Sequence, residues 1–245
     1  MTTTIFKVSP QTCFQYFTFS IITIFLSIQA WNQSPTTDAA IITWVMGLIA
    51  WAIKRDTGLT SGQKKIVLAS CLVFIACLLS WLLSEYDLIF KKIEPDTRFL
   101  LFGLTLIAVS LSGVTINQFF IALIIAGISY GCSGLYERYY LGVNRVNGDE
   151  NAVTFGNGAF LIAACLMMIY LTRAHKALKL VAPIAIIFAL IASAYSGTRG
   201  SFLALLPLMI IMGYKFNHKG RFAVIIFTMI SIIGIGQFTS IMDRF

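Results

Sequence analysis

Long apolar runs separated by short polar clusters make up nearly the whole chain. Hydropathy places them at 13–31, 39–53, 66–83, 99–114, 118–135, 153–171, 180–196, 201–214 and 222–240. Several approach the roughly 20 apolar residues that a helix needs to cross about 30 Å of hydrocarbon. Little polar sequence remains between them for a soluble domain. The pattern therefore predicts an all-α fold: a polytopic bundle of nine transmembrane helices forming a single domain over 1–245. The fourth and fifth runs are separated only by "SGVTINQ", where Gly113, Asn117 and Gln118 are turn signals. One helix over 99–135 would reach roughly 55 Å at about 1.5 Å per residue, so a break into a helical hairpin is expected there.

Composition agrees with this reading. Hydrophobic residues make up 58% of the chain and charged residues 11%, with a mean hydropathy of +0.85, far outside the range of an ordinary soluble domain. The few charges orient the bundle. With the N-terminus cytoplasmic, the inner segments collect Lys7, Lys54, Arg55, Lys64, Lys65, Arg173, Lys176, Lys179, Lys215, Lys219 and Arg221 against the single acid Asp56. The outer segments hold seven cations and nine acids. The net charge of +8 is thus a sidedness signal that points to anionic membrane lipid, and it gives no reason to invoke nucleic acid.

Several chemistries find no support. The N-terminal "MTTTIFKVSPQT" lacks a small-residue cleavage pattern and reads as the approach to a retained first span. Cys13, Cys71, Cys77, Cys132 and Cys165 all fall inside predicted helices without metal-ligand spacing, so membrane packing accounts for them and no metal is expected. "GISYG", Gly127 to Gly131, is a GxxxG that supports close helix contact and nothing more. This sequence has no Gly-Lys-Ser/Thr phosphate loop, so an internal ATPase is not expected. His175 and His218 lie in the basic inner loops and read as ordinary polar residues.

Two outward segments carry candidate chemistry. In "SAYSGTRGSFLALLPL", 193–208, Arg199 stands among small residues between two apolar runs. It precedes Lys215 by 16 residues, about 24 Å of helix, so with Lys215 at the inner surface Arg199 sits slightly recessed from the outer one. An arginine at that depth either snorkels to headgroups or faces a wet cavity, where its planar fork suits phosphate or diphosphate. The second segment, "YERYYLGVNRVNGDENAVTFGNG", contains the longest outer loop, 136–152, and combines Arg138 and Arg145 with Asn144, Asn147, Asn151 and Asn157. Tyr136, Tyr139 and Tyr140 read as an interfacial aromatic belt, whereas Arg145, in a polar turn just before the next span, can reach back over a cavity.

"NRVNGDENAVTFGNG" and "SGTRGSFLALL", in that order and about fifty residues apart, resemble the two arginine-bearing outer segments of the bacterial O-antigen ligase family. Ala152 stands where that family often has proline. The resemblance implies a lipid-carrier-dependent, GT-C-like glycosyltransferase of the bacterial inner membrane. Such enzymes move a preassembled glycan from undecaprenyl diphosphate to the lipid A core oligosaccharide at the periplasmic face, without metal or other cofactor. It implies Arg145 and Arg199 as catalytic groups that hold the diphosphate and neutralise charge on the leaving group. Asn151, Ser196, Thr198 and Arg244 are candidate substrate-binding residues beside them.

The family's acceptor chemistry lies mainly in a large periplasmic loop carrying a histidine. This chain ends "GQFTSIMDRF" where that loop would begin, so it is expected to be an N-terminal portion of a longer enzyme or a shortened product. An O-antigen polymerase or a protein O-oligosaccharyltransferase of the same superfamily would use the same donor. A secondary transporter or flippase would instead place ionisable residues inside several spans, but the acids here are nearly all in loops.

Overall fold

The computed structural model describes residues 9–31, 34–83, 90–148 and 151–198. They form seven α-helices: α1 (Pro10–Ile28), α2 (Ser34–Lys54), α3 (Ser61–Leu83), α4 (Phe90–Ser112), α5 (Ile116–Leu135), α6 (Ala152–Met167) and α7 (Lys176–Tyr195). A π-helical turn, Tyr136–Tyr140, prolongs α5, and a 3-10 turn, Met168–Leu171, prolongs α6. No strand occurs among the described residues. These helices overlap the first seven apolar runs in position; the last two runs, 201–214 and 222–240, lie outside the described residues.

Most helix starts are marked by a side chain that satisfies free N–H groups. Ser9 Oγ accepts from Thr12 N–H at 3.2 Å, and Pro10 occupies the first helical position of α1, where its missing N–H costs nothing. Ahead of α3, Thr60 N–H donates to Gln63 Oε1 at 2.8 Å and Gln63 N–H donates back to Thr60 Oγ1 at 3.3 Å. Thr115 and Gln118 repeat this reciprocal box at α5, at 2.9 and 3.3 Å. Asn151 caps α6 and His175 caps α7. The break expected within "SGVTINQ" is therefore present: α4 ends at Ser112, Gly113 takes a left-handed φ of +74°, and a freshly capped helix begins.

The helices belong to two compact units, one within Met1–Ile21 and Thr37–Val114, the other within Ile22–Thr36 and Thr115–Phe245. In the first, Gly103 of α4 lies against Val67 of α3, and Gly47 of α2 lies against the Leu104 carbonyl, with no room for a side chain. The C-terminal carbonyls of α4 are satisfied from two other helices: Gln11 Nε2 and Lys54 Nζ both donate to Leu111 O, at 3.2 and 3.3 Å. Large apolar side chains stand exposed along α2 and α3, among them Leu48, Trp51, Leu68, Leu72 and Leu79. Such faces are intolerable in water and normal against lipid.

The described residues of the second unit form a tight cluster built on three helices, α5, α6 and α7. α5 and α7 run parallel: Gly127 meets Ala185, Gly131 meets Phe188 and Gly134 meets Ala192, in the same order along both helices. Ala182, Ala185, Ala189 and Ala192 of α7 are wholly buried, so small residues on both sides bring the backbones close. The GxxxG expectation for Gly127 and Gly131 is met by this contact. α6 connects the pair in the opposite direction and buries Phe155, Ala159, Ala163 and Leu166. The end of α1 is tied on by α5 serines, with Ser129 Oγ donating to Ser27 O at 2.7 Å and Ser133 Oγ to Ala30 O at 2.6 Å.

Together these features make the protein a helical bundle with five helices long and apolar enough to cross a membrane among the described residues: α1, α3, the extended α5, α6 with its 3-10 turn, and α7. That is the composition of a multi-pass membrane protein.

Candidate functional site

Parallel α5 and α7 with α6 between them place the C-terminus of α5, the N-terminus of α6 and the C-terminus of α7 at one end of the second unit. The described parts of the two sequence segments singled out above, 136–148 with 151–158 and 193–198, lie there. Residues 141–148 fold back over this end, and their fastenings are specific. Val146 is fully buried, and its N–H donates to Tyr195 O at 3.1 Å. Arg145 Nε donates to Ser196 O at 2.8 Å. Arg138 Nη1 donates to Val143 O at 3.3 Å and to Asn144 O at 2.8 Å, bracing the turn from the α5 side.

The segment after α7 is locked from the other side. Gly197 turns the chain with φ +66°. Thr198 Oγ1 donates to Ala152 O at 3.0 Å and lies 2.8 Å from Ser196 Oγ, which in turn donates to Ser193 O at 2.6 Å. Gly156 permits this approach: a Cβ there would overlap Ser196 Oγ and stand 2.5 Å from Thr198 Oγ1. The "NRVNGDENAVTFG" and "SGT" segments are thus in direct contact, although about fifty residues separate them in sequence.

Each predicted site residue has a distinct situation. Arg145 is exposed, and its terminal guanidinium nitrogens have no hydrogen-bond partner among the described residues. Asn151 is exposed, but its Oδ1 already accepts from Val153 N–H at 2.9 Å as the α6 cap. Ser196 and Thr198 are buried, and their hydroxyls are engaged within the chain, which gives both a shaping role at this end. Arg199 and Arg244 lie outside the described residues. His175 caps α7 at its opposite end, where its N–H also donates to Asn117 Oδ1 at 3.0 Å.

Sequence reasoning missed two features. The first is Glu137, which it took for a loop acid. Glu137 is 9% exposed, and its Oε2 accepts from the N–H groups of Asn147 at 3.0 Å and Gly148 at 3.3 Å. The second is the helical continuation of α5 through Tyr140. It carries an exposed aromatic row: Tyr136 and Tyr140 stack with ring centroids 4.9 Å apart, Trp31 lies 5.9 Å from Tyr136, and the Tyr139 and Tyr195 hydroxyls are 3.0 Å apart. Tyrosines exposed around a helix end are placed as an interfacial belt requires.

No protein-family model and no solved structure matches this chain. It is similar to an uncharacterized protein of Haemophilus influenzae, 25% identical over 223 residues, which covers 88% of this chain and 53% of that protein. The chain spans about half the length of the relative it matches. A relative of that description assigns neither a family nor an activity, so the functional reading rests on the residues.

Proposed function

We propose that this chain is the arginine-bearing membrane part of a glycosyltransferase resembling the O-antigen ligases. It works at the periplasmic face of a bacterial inner membrane, on an undecaprenyl-diphosphate-linked glycan, with the lipid A core oligosaccharide as acceptor. The observation that carries the reading is the docking of Arg145 on Ser196. It brings together the described parts of the two segments in which the resemblance lies, on an exposed arginine whose terminal nitrogens have no partner among the described residues. In this reading Arg145 grips the diphosphate, and Arg199, next in sequence to the anchored Thr198, completes the grip. Their chemistry is electrostatic: charge that builds on the departing diphosphate is met by fixed cations, with no metal needed. Ser196, Thr198 and Asn151 hold the two arginine segments in register, and Arg244 is assigned to the same anion. The cationic loops at 54–65 and 172–179 then face the cytoplasm.

The test uses the full-length protein in membranes supplied with the lipid-linked glycan and the lipid A core. Arg145→Ala and Arg199→Ala should each lower transfer by about 30- to 1,000-fold, the effect of losing roughly 2 to 4 kcal/mol of charge-assisted contact. Arg199→Lys should lose much of the rate as well, because a lysine keeps the charge without the planar fork. Wild-type transfer by both alanine variants at matched protein levels would remove the site. Product analysis tests the acceptor, since a lengthened polymer or a glycosylated protein in place of modified lipid A core would reassign it.

A further inference from the structure

We infer that Glu137 is a positioning residue for Arg145, acting as the clamp that holds the 141–148 loop in its docked form. The argument starts from burial. A carboxylate withdrawn from water is costly unless its oxygens find donors. Glu137 Oε2 finds them in consecutive backbone N–H groups, those of Asn147 and Gly148, and the Asn147 side-chain amide, with its nitrogen turned toward the carboxylate, donates to the same oxygen at 3.3 Å. Successive N–H groups aimed at one acceptor act as an anion-binding nest, here in a turn that continues through Gly148 with a left-handed φ of +60°. In this protein the anion is internal.

The clamp is short in sequence and closes on both sides of the functional residue. Val143 N–H donates to the Glu137 carbonyl at 3.0 Å, so Glu137 grips the loop before Arg145 with its backbone and after Arg145 with its side chain. The guanidinium on the intervening stretch is thereby presented to Ser196 O. Without the carboxylate, the loop keeps the Val146 anchor and the Arg138 brace, but the turn at Asn147 and Gly148 loses its only side-chain tie from α5 among the described residues.

Three substitutions separate reach from charge. Glu137→Gln retains an oxygen at the same distance, able to accept both N–H bonds. Glu137→Asp retains the charge but is one methylene too short. Glu137→Ala removes both. The first readout needs no knowledge of function: trypsin cleavage after Arg145 in the full-length protein in detergent micelles, followed by mass spectrometry. The alanine and aspartate variants should be cut roughly ten- to a hundredfold faster than wild type, and the glutamine variant within about threefold of it. If the alanine variant does not accumulate, the aspartate variant carries the same comparison.

Cleavage of both short variants at the wild-type rate would overturn the clamp. So would a glutamine variant cut as fast as the alanine one, since the role would then belong to the charge. The second readout, glycan transfer, rests on the function proposed above. There the short variants should raise KM for the lipid-linked diphosphate donor at least tenfold, and the glutamine variant should stay near wild type. A glutamine variant that is dead for transfer yet closed to trypsin would mean that Glu137 acts in the chemistry itself, and would also overturn the proposal. Loop opening in the short variants without transfer by any protein, wild type included, would uphold the clamp and refute the glycosyltransferase reading.

Discussion

Gly156→Ala is the most direct probe of the contact between the segment that opens α6 and the segment that follows α7. The added methyl would overlap Ser196 Oγ, stand 2.5 Å from Thr198 Oγ1 and stand 2.9 Å from Thr198 Cβ. Relaxed contacts of this kind lie at about 3.5 Å or more. The neighbours cannot swing aside freely, because Ser196 Oγ is bonded to Ser193 O and Thr198 Oγ1 to Ala152 O. Either α6 moves outward by roughly 1 Å, an overpacking cost of about 1 to 3 kcal/mol, or one of those hydroxyls turns and forfeits a buried bond, at about 1 kcal/mol or more. The better helix propensity of alanine returns about 0.5 to 1 kcal/mol. Net destabilisation by about 0.5 to 2.5 kcal/mol is expected, measured by equilibrium unfolding with SDS in mixed micelles under tryptophan fluorescence. Gly62→Ala, also helical, is the control, since a Cβ at Gly62 meets nothing within 4 Å, and it should be as stable as wild type or up to about 1 kcal/mol more stable. Adding Ser196→Ala removes the overlapping oxygen, so the double variant should be more stable than additivity predicts by about 1 kcal/mol. A Gly156→Ala protein as stable as wild type would refute this account of the docking.

Three further outcomes can be checked alongside it. Gly131→Ala drives a methyl into Phe188, whose Cβ would stand 2.5 Å from the new carbon, and should cost about 1 to 3 kcal/mol in the same unfolding experiment. Asn151→Ala deletes the α6 cap and should cost about 1 kcal/mol, whereas Asn151→Asp should restore most of it, because either oxygen accepts from Val153 N–H. In intact cells of a bacterium freed of its outer membrane, a cysteine at Asn144 should react with an impermeant maleimide, while one at Lys64 should react only after lysis; the reverse would invert the charge-based orientation.

Hydropathy located the first seven helices because the cost of burying backbone in lipid forces long apolar stretches into helix. It misplaced their starts for a physical reason. α3 begins at Ser61 and α4 at Phe90, whereas the apolar runs begin at 66 and 99. A helix starts where its free N–H groups are satisfied, and the Thr60-x-x-Gln63 box was legible as such a start even though it is polar. The extension of α5 through Tyr140 was not legible, since a π-helical turn differs from the preceding helix by one hydrogen-bond step and leaves no pattern in polarity. Glu137 was hidden by its neighbours. Flanked by Tyr136 and Arg138, it looks like any interfacial acid, and its burial follows from a loop that folds back ten residues later. The usable signal was the Asn147-Gly148 pair, a turn whose exposed N–H groups require an acceptor.

The docking of Arg145 on Ser196 has an electrostatic consequence. The aligned peptide dipoles of α7 leave a partial negative charge at its C-terminal pole, which spans the Tyr195 and Ser196 carbonyls. Those two oxygens receive the Val146 N–H and the Arg145 Nε. The guanidinium therefore offsets the negative pole, and for the anionic donor proposed above it would supply an attraction while masking a repulsive helix end. Neutralising Arg145 removes an attraction and unmasks a repulsion at the same place. A cation of equal charge moved to a nearby surface position restores only the first of these, so second-site lysines or arginines introduced around this end should rescue anion affinity poorly.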